Sequence, residues 1–427
     1  MHGSQTATLP QWKLMWRQFR RHRLAMAGMA ILIPVYVVAV FAGFFAPTTS
    51  TDAHTSLTYA PPQLVRYSGE HGLHVYGYRS ERDAETFEQT FTIDESKPIR
   101  VGFFVEGEPY TILGFIPADI HLFGPVNKGD PFFPLGADGN GRDLLSRLIY
   151  GAQVSLSIGL VGVAVSFVLG MLIGGVSGYL GGGVDNVVQR CIEFIISIPT
   201  LPLWMALSAA VPQDWGPLTR YFAITVILSL IGWTGLARDV RGRFLALREE
   251  DFVTAARLDG LGRLSIIFRH MVPSFASHII ASLSLAIPAM ILGETSLSFL
   301  GLGLQSPAVS WGVLLEAAQN VRVVATAPWL LAPGVAVVVV VVAMNFFGDG
   351  LRDAADPYGA ASRARRWQPF RRNRGGRPGS ATIQHGAASR ARRWQPFRRN
   401  RGGRLGSATI PHSRSGRVRR RARGRAA

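Results

Sequence analysis

Few groups in this 427-residue chain have the type and spacing to do chemistry. No stretch follows the GxxxxGK[ST] pattern that cradles phosphates, and lysine is scarce, so nucleotide hydrolysis is not expected of this polypeptide. The ten histidines are scattered without an HExxH pair. The single cysteine, Cys191, excludes an internal disulfide framework and any cysteine-based metal site, and is expected to be inert. Gly139-Asn-Gly-Arg-Asp143 is glycine-rich but stands just ahead of an apolar segment, so it reads as a turn. Two features remain. Glu294 interrupts an apolar stretch, where an ionisable residue costs on the order of 2.5–3.5 kcal/mol at a bilayer centre. It fits a path-lining role, a hydrogen bond between helices, or a place at the interface. Residues 249–275 open on Glu249, Glu250 and Asp251, which suit a helix N-terminus. Gly260 and Gly262 then break that helix, and a second amphipathic piece runs to Pro273. Such a knob suits the groove of a soluble partner, with a solvated surface helix as the plainer alternative. His270, inside it, is expected to hydrogen-bond the adjoining helix rather than to act as ligand or catalyst.

The elements that position these groups are apolar and long. Hydrophobic residues make up 48% and charged residues 17%, against about 25% charged in soluble domains. Six segments reach the ~20 apolar residues that a spanning helix needs, near 24–46, 152–176, 187–211, 221–238, 276–300 and 327–347. The first carries Pro34, is too long for a signal peptide, and is expected to be a retained anchor. The pairs Gly170/Gly174 and Gly174/Gly178 would let helices approach closely. The fold class expected is an all-α membrane protein of six transmembrane helices, with a small β-rich insertion outside the membrane and a disordered tail.

Arginine placement predicts orientation. Lys13, Arg17, Arg20, Arg21 and Arg23 precede the first helix, and seven arginines lie between Arg238 and Arg269. The short segments on the other side offer Arg220 and Arg322. Both termini and the 249–275 loop are therefore expected in the cytoplasm. The resulting division is a cytoplasmic N-terminus (1–23), a first helix (24–46), an extracytoplasmic domain (47–150), a five-helix core (151–348), its cytoplasmic end (349–358) and a tail (359–427). Residues 48–150 hold 8 basic and 14 acidic residues. Alternating stretches at 87–93, 101–105 and 110–115 suggest strands there, against the alternative of a loosely ordered loop. Asn345, Asp349 and Asp353 gather at the end of the last helix, with Arg238 and Arg352 as candidates for structural pairing.

The net charge of +18 belongs to the tail. Residues 359–427 hold 21 Arg and no Lys, Asp or Glu, which leaves 24 basic against 27 acidic residues ahead of them. Gly359–Ile383 recurs as Gly386–Ile410 with Pro378 replaced by Leu405. The repeat lacks the apolar residues of a solenoid, so the tail is expected to be disordered. Its arginines, with Trp367 and Trp394, suit anionic lipid or RNA, but a recent duplication in a tolerant region favours a dispensable extension. No nucleic acid is expected as a partner.

The 249–275 segment resembles the EAA coupling loop of ABC-importer permeases: Thr254-Ala255-Ala256, Gly260 and Pro273 take the places of that motif. Arg269-His270-Met-Val-Pro273 is similar to the version found in the dipeptide/oligopeptide/nickel group. Leu135–Gly151, Gly293–Gly303 with Ser310-Trp-Gly312, and Pro328-Trp-Leu through Asn345–Asp353 to Asp356-Pro357 resemble three further signatures of that group. The resemblance covers about 12–46 and 135–357, leaving the insertion and the tail outside it. Thr254 departs from the motif, in which a Glu stands there, and any ion pair made by that Glu is lost.

The resemblance implies a non-enzymatic permease subunit in a bacterial inner membrane, paired with a homologous permease. It implies two cytoplasmic ABC ATPases, an extracytoplasmic substrate-binding protein, and no cofactor bound by this chain, the ATP and Mg lying on the partners. Asp251, Thr254, Ala255, Ala256, Gly260, Arg269, His270 and Pro273 would form the ATPase-coupling loop. Glu294, Ser298, Gly301 and Gly303 would line the translocation path or a helix interface. A secondary, ion-coupled transporter is the alternative; it would need coupling groups in the membrane, where Glu294 is nearly alone.

Overall fold

In a computed structural model, residues 11–82, 89–112, 114–212 and 214–355 are described. The arginine-rich repeat at 359–427, expected to be disordered, lies outside them. An amphipathic helix α1 (Gln11–Phe19) leads into α2 (Arg23–Val40), and a four-stranded antiparallel sheet follows. The strands β1 (Arg66–Ser68), β2 (Gly72–Arg82), β3 (Gln89–Ile112) and β4 (Ile116–Pro125) stand in chain order across the sheet. The helices α3 (Leu144–Leu180), α4 (Gly182–Ser197), α5 (Thr200–Ala209) and α6 (Pro217–Leu247) come next. Then come the short α7 (Asp251–Leu258), a π-helical turn at Ile266–Met271, α8 (Ala276–Phe299), α9 (Trp311–Glu316) and α10 (Ala332–Ala355).

Five helices are long and apolar enough to cross a membrane, and a sixth crossing requires the bent pair α4–α5 to count as one span. The uniform helix expected at 187–211 is therefore corrected to two pieces meeting at 85°. The break has a local cause. Pro199 has no N–H to donate, and its ring drives the preceding residue out of helical space, so Ile198 sits at φ −87°, ψ 129°. The helix expected at 152–176 is also longer than its apolar run, because Asp143 caps it at one end and Gly181 stops it at the other.

Contacts between helices define their directions. Gly162 and Gly170 of α3 lie against Ser229 and Leu236 of α6, while Gly174 and Gly178 lie against the backbones of Ala237 and Arg241, so the two helices run parallel. A β-carbon at Gly178 would stand 2.8 Å from the Arg241 carbonyl oxygen, which confirms close helix approach as the use of these small residues. The α8 helix runs antiparallel to α3, with Ile291 near Gly159 and Glu294 bonded to Ser155. Gly28 abuts Ala343 and Ala25 abuts Gly350, so α2 and α10 are antiparallel as well. Asp353, at the end of α10, lies 3.9 Å from His22 on α2's N-terminal cap.

The sheet corrects the strand boundaries. The three expected stretches merge into the single 24-residue β3, and β2 and β4 join it on either side. Extended pairing lets a strand run through Pro98 because the β2–β3 register shifts just there, between Tyr76 and Gly77. The sheet lies at the N-terminal end of α3 and residues 251–273 at its C-terminal end, about 55 Å apart at 1.5 Å per helical residue.

Candidate functional site

Residues 251–273 form a knob with two unlike faces. The α7 helix buries Val253 and Ala256 against Phe244 of α6 and against Ile266, Ile267 and Met271 of the π-helical turn. Gly260 closes the turn at φ +76°, a conformation that a side chain resists. The guanidinium of Arg257 stands 5.1 Å over the Tyr179 ring, tying the knob to the end of α3. The opposite face is apolar and open: Phe252, Leu258, Leu261, Leu264 and Phe268 are exposed, Leu258 at 83%. Asp251, Thr254, Ala255, Gly260, Arg269 and Pro273 are exposed as well, His270 is half-buried, and Ala256 is buried. The knob carries no catalytic grouping; its chemistry is that of a docking surface.

Glu294 occupies a different setting. It is fully buried, and it accepts hydrogen bonds from Ser155 (3.0 Å) on α3 and from Ser298 (2.8 Å) one turn along α8. Each serine oxygen in turn accepts a backbone N–H: Trp311 donates to Ser155 (3.1 Å) and Leu304 to Ser298 (3.0 Å). Gly301, at φ +74°, ends α8 in the left-handed conformation, and Gly303 fits against Ser298 with no room for a β-carbon. The chain can then fold back so that α9 packs on α3 and α8, and the Trp311 indole donates to the Leu148 carbonyl (3.0 Å). Glu294, Ser298, Gly301 and Gly303 are thus brought together, as a knot joining three elements. Ser155 was not singled out from the sequence, where a serine amid the apolar residues of α3 was its one visible signal; Trp311 was, within the Ser310-Trp-Gly312 signature, but not its bonds to Ser155 and Leu148.

The Gly139–Asp143 turn is a scaffold for helix α3. Asp138 accepts from the backbone N–H groups of Asn140 (2.8 Å) and Arg142 (3.0 Å), pairs with Arg142 Nε (3.0 Å), and also binds Arg147. Asp143 caps α3 by accepting from Leu145 (3.3 Å) and Ser146 (2.7 Å). Burial pushes the Asp143 carboxyl up to about 7, against the lowering effect of the Ser146 hydroxyl and backbone donors. Asp138, Arg142 and Arg147 border an open cavity of about 380 Å³ shared with Ser306, Val313 and Glu316.

Residues 166–358 match the binding-protein-dependent transport system inner membrane component, and residues 10–62 match the N-terminal TM domain of oligopeptide transport permease C. The oligopeptide transport system permease protein OppC of Haemophilus influenzae is 40% identical over 235 residues, covering 55% of this chain and 72% of that protein. The dipeptide transport system permease protein DppC of Bacillus subtilis is 30% identical over 344 residues, 80% of this chain and 84% of its own. The OppC protein of Escherichia coli is 41% identical over 223 residues, 52% of this chain and 71% of its own. With the knob, the glycine-ended α8 and these matches together, the chain belongs to the inner-membrane permease family of binding-protein-dependent transport systems, in its oligopeptide and dipeptide permease C branch.

Proposed function

We propose that this chain is one of two homologous permease subunits of an ATP-driven ABC importer in a bacterial inner membrane, and that it helps form the path for peptides delivered by an extracytoplasmic binding protein. Six crossings, with both termini in the cytoplasm, suit the parallel α3 and α6: between two parallel spans the chain must return across the bilayer, and α4–α5 is the segment available for it. The arginines flanking α2 and filling 238–269 favour the cytoplasm for the knob's side. Two cytoplasmic ATPases supply ATP and Mg, and this chain binds neither.

The observation that carries the reading is the knob, whose inner face is locked to the ends of α3 and α6 while its outer face leaves five large apolar residues open. Docked in a groove of an ATPase, it transmits movement of that subunit to the spanning helices. In the Glu294 knot the Ser155 and Ser298 hydroxyls both donate to the buried carboxyl and accept a backbone N–H, which favours the helix-interface role for Glu294, Ser298, Gly301 and Gly303. The test is the double substitution Leu258→Asp with Leu264→Asp. The chain should still reach the membrane with its homologous permease, while ATPase co-purification and ATP-dependent peptide uptake are lost. ATPase retained at wild-type level would sink the docking role.

A further inference from the structure

The β3–β4 hairpin carries large apolar residues that no part of the described chain covers: Phe103, Phe104, Phe115, Ile116 and Ile120 are exposed at 46–71%. Patches of this kind on a folded surface mark a contact with something else. Its contacts with the end of α2 show which way the hairpin points. A short helical turn, Ala42–Phe45, continues from α2, and the chain then leaves through Pro47. Gly124, at the base of the hairpin, lies against the Pro47 carbonyl. Nearer the tip, His121 Nδ1 lies 2.7 Å from the Ala46 carbonyl oxygen. Nearer still, Tyr110, paired in register with Ala118, packs on Gly43 where a β-carbon has no room. The Phe104 ring also stands 6.2 Å from that of Phe44.

Contacts that step from Pro47 to Ala46 to Gly43 step at the same time from the base of the hairpin toward its tip. The hairpin therefore runs back alongside the outgoing chain, toward the end of α2 whose Val37, Val40 and Phe41 are themselves exposed apolar residues. Ile116 lies two residues beyond the Tyr110–Ala118 pair, a further ~7 Å at about 3.3 Å per strand residue, and Phe115 stands in the adjoining turn. The surface they join is an exposed apolar side of a helix long and apolar enough to cross a membrane.

We propose that the tip of the β3–β4 hairpin is a membrane anchor, seating Phe115 and Ile116 in the interfacial layer of the leaflet on the sheet's side. Two features limit its depth. β4 is an edge strand, and unpaired strand edges are not tolerated in hydrocarbon. Glu106, Glu108 and Asp119, all exposed on the hairpin, hold it at headgroup level and disfavour anionic lipid. The occupant is thus a zwitterionic lipid surface. The anchor ties the sheet to the bilayer as well as to α2. It rests on α2 spanning the membrane and is independent of what the complex carries.

The lone cysteine makes the test direct. Cys191→Ser supplies a cysteine-free full-length chain, and single nitroxides are placed through Phe115→Cys, Ile116→Cys, Tyr67→Cys on the sheet's far strand, and Ile33→Cys on the exposed side of α2. In phosphatidylcholine nanodiscs, collision with oxygen should exceed collision with a water-soluble nickel chelate at 115, 116 and 33, and the order should reverse at 67. A label at 115 as open to the chelate as that at 67, with 33 still reading lipid, overturns the anchor alone. Labels at 115 and 116 screened from both reagents overturn it in favour of protein cover. If 33 itself reads water, the spanning of α2 fails and the anchor with it.

Discussion

The knob at 251–273 and the knot around Glu294 solve opposite problems within one helix bundle. The knob leaves large apolar side chains among its charges where it meets water, and the knot is polar where it is buried. A buried carboxylate persists because Ser155 and Ser298 donate to it and their oxygens accept two backbone N–H groups, so each polar atom in the chain of bonds has a partner. Five exposed apolar side chains persist on the knob because its other face is held by a well-packed cluster that needs none of them. Completeness marks the region that holds the subunit together. Incompleteness marks the region to which we assign the docking of a partner subunit.

That contrast can be broken by substitution. Met271→Ala removes a fully buried side chain from the inner face of the knob, and a loss of about 2–5 kcal/mol is expected for such a deletion. Thermal unfolding of the purified permease pair would measure it; an unchanged midpoint would mean that the knob is not packed on the bundle. Glu294→Ala should cost about 2–3 kcal/mol, because it orphans buried hydroxyl donors, whereas Glu294→Gln should retain most of the stability. Loss of uptake at full stability in the Ala variant would instead assign Glu294 to the translocation path.

The turn that begins α3 adds a pH dependence. A carboxyl whose folded value is raised to about 7 from 3.8 supports the fold fully below 3.8 and loses that support as pH rises through about 7. The unfolding temperature should fall over that window and level off above it, and Asp143→Asn should flatten the slope while keeping a cap. A wild-type curve that rises through the window contradicts this. Phe268→Ser, on the knob's open face, should change stability by no more than about 0.5 kcal/mol, yet reduce ATPase co-purification. Equal loss of stability and binding would erase the distinction between the two faces. The smallest effect is expected from Thr254→Glu, a change of a few tenths of a kcal/mol in the exposed helix. Coupling restored toward the family motif would appear as increased ATP-dependent uptake without a shift in unfolding temperature.

Much of this was legible in the residues. Glu294 and Ser298 stand one helical turn apart, so their bond is local and readable. Gly260 and Pro273 punctuate the knob, and Pro199 announces the break that the apolar count at 187–211 conceals. The strands were only partly legible, because the alternation along β3 fades where both faces of a twisted hairpin meet solvent.

Hydropathy, turn residues and caps are properties of neighbours in the chain, so the long apolar helices, the knob and its glycine turn followed from the sequence alone. Partners far apart in the chain did not. Ser155 lies 139 residues from Glu294, and nothing in either local stretch selects the other until α3 and α8 run antiparallel. The parallel course of α3 and α6 and the return of the hairpin toward α2 were likewise decided by tertiary packing. Direction in space depends on which surfaces fit against each other, and a one-dimensional pattern of apolar and polar residues is the same whichever way a segment points.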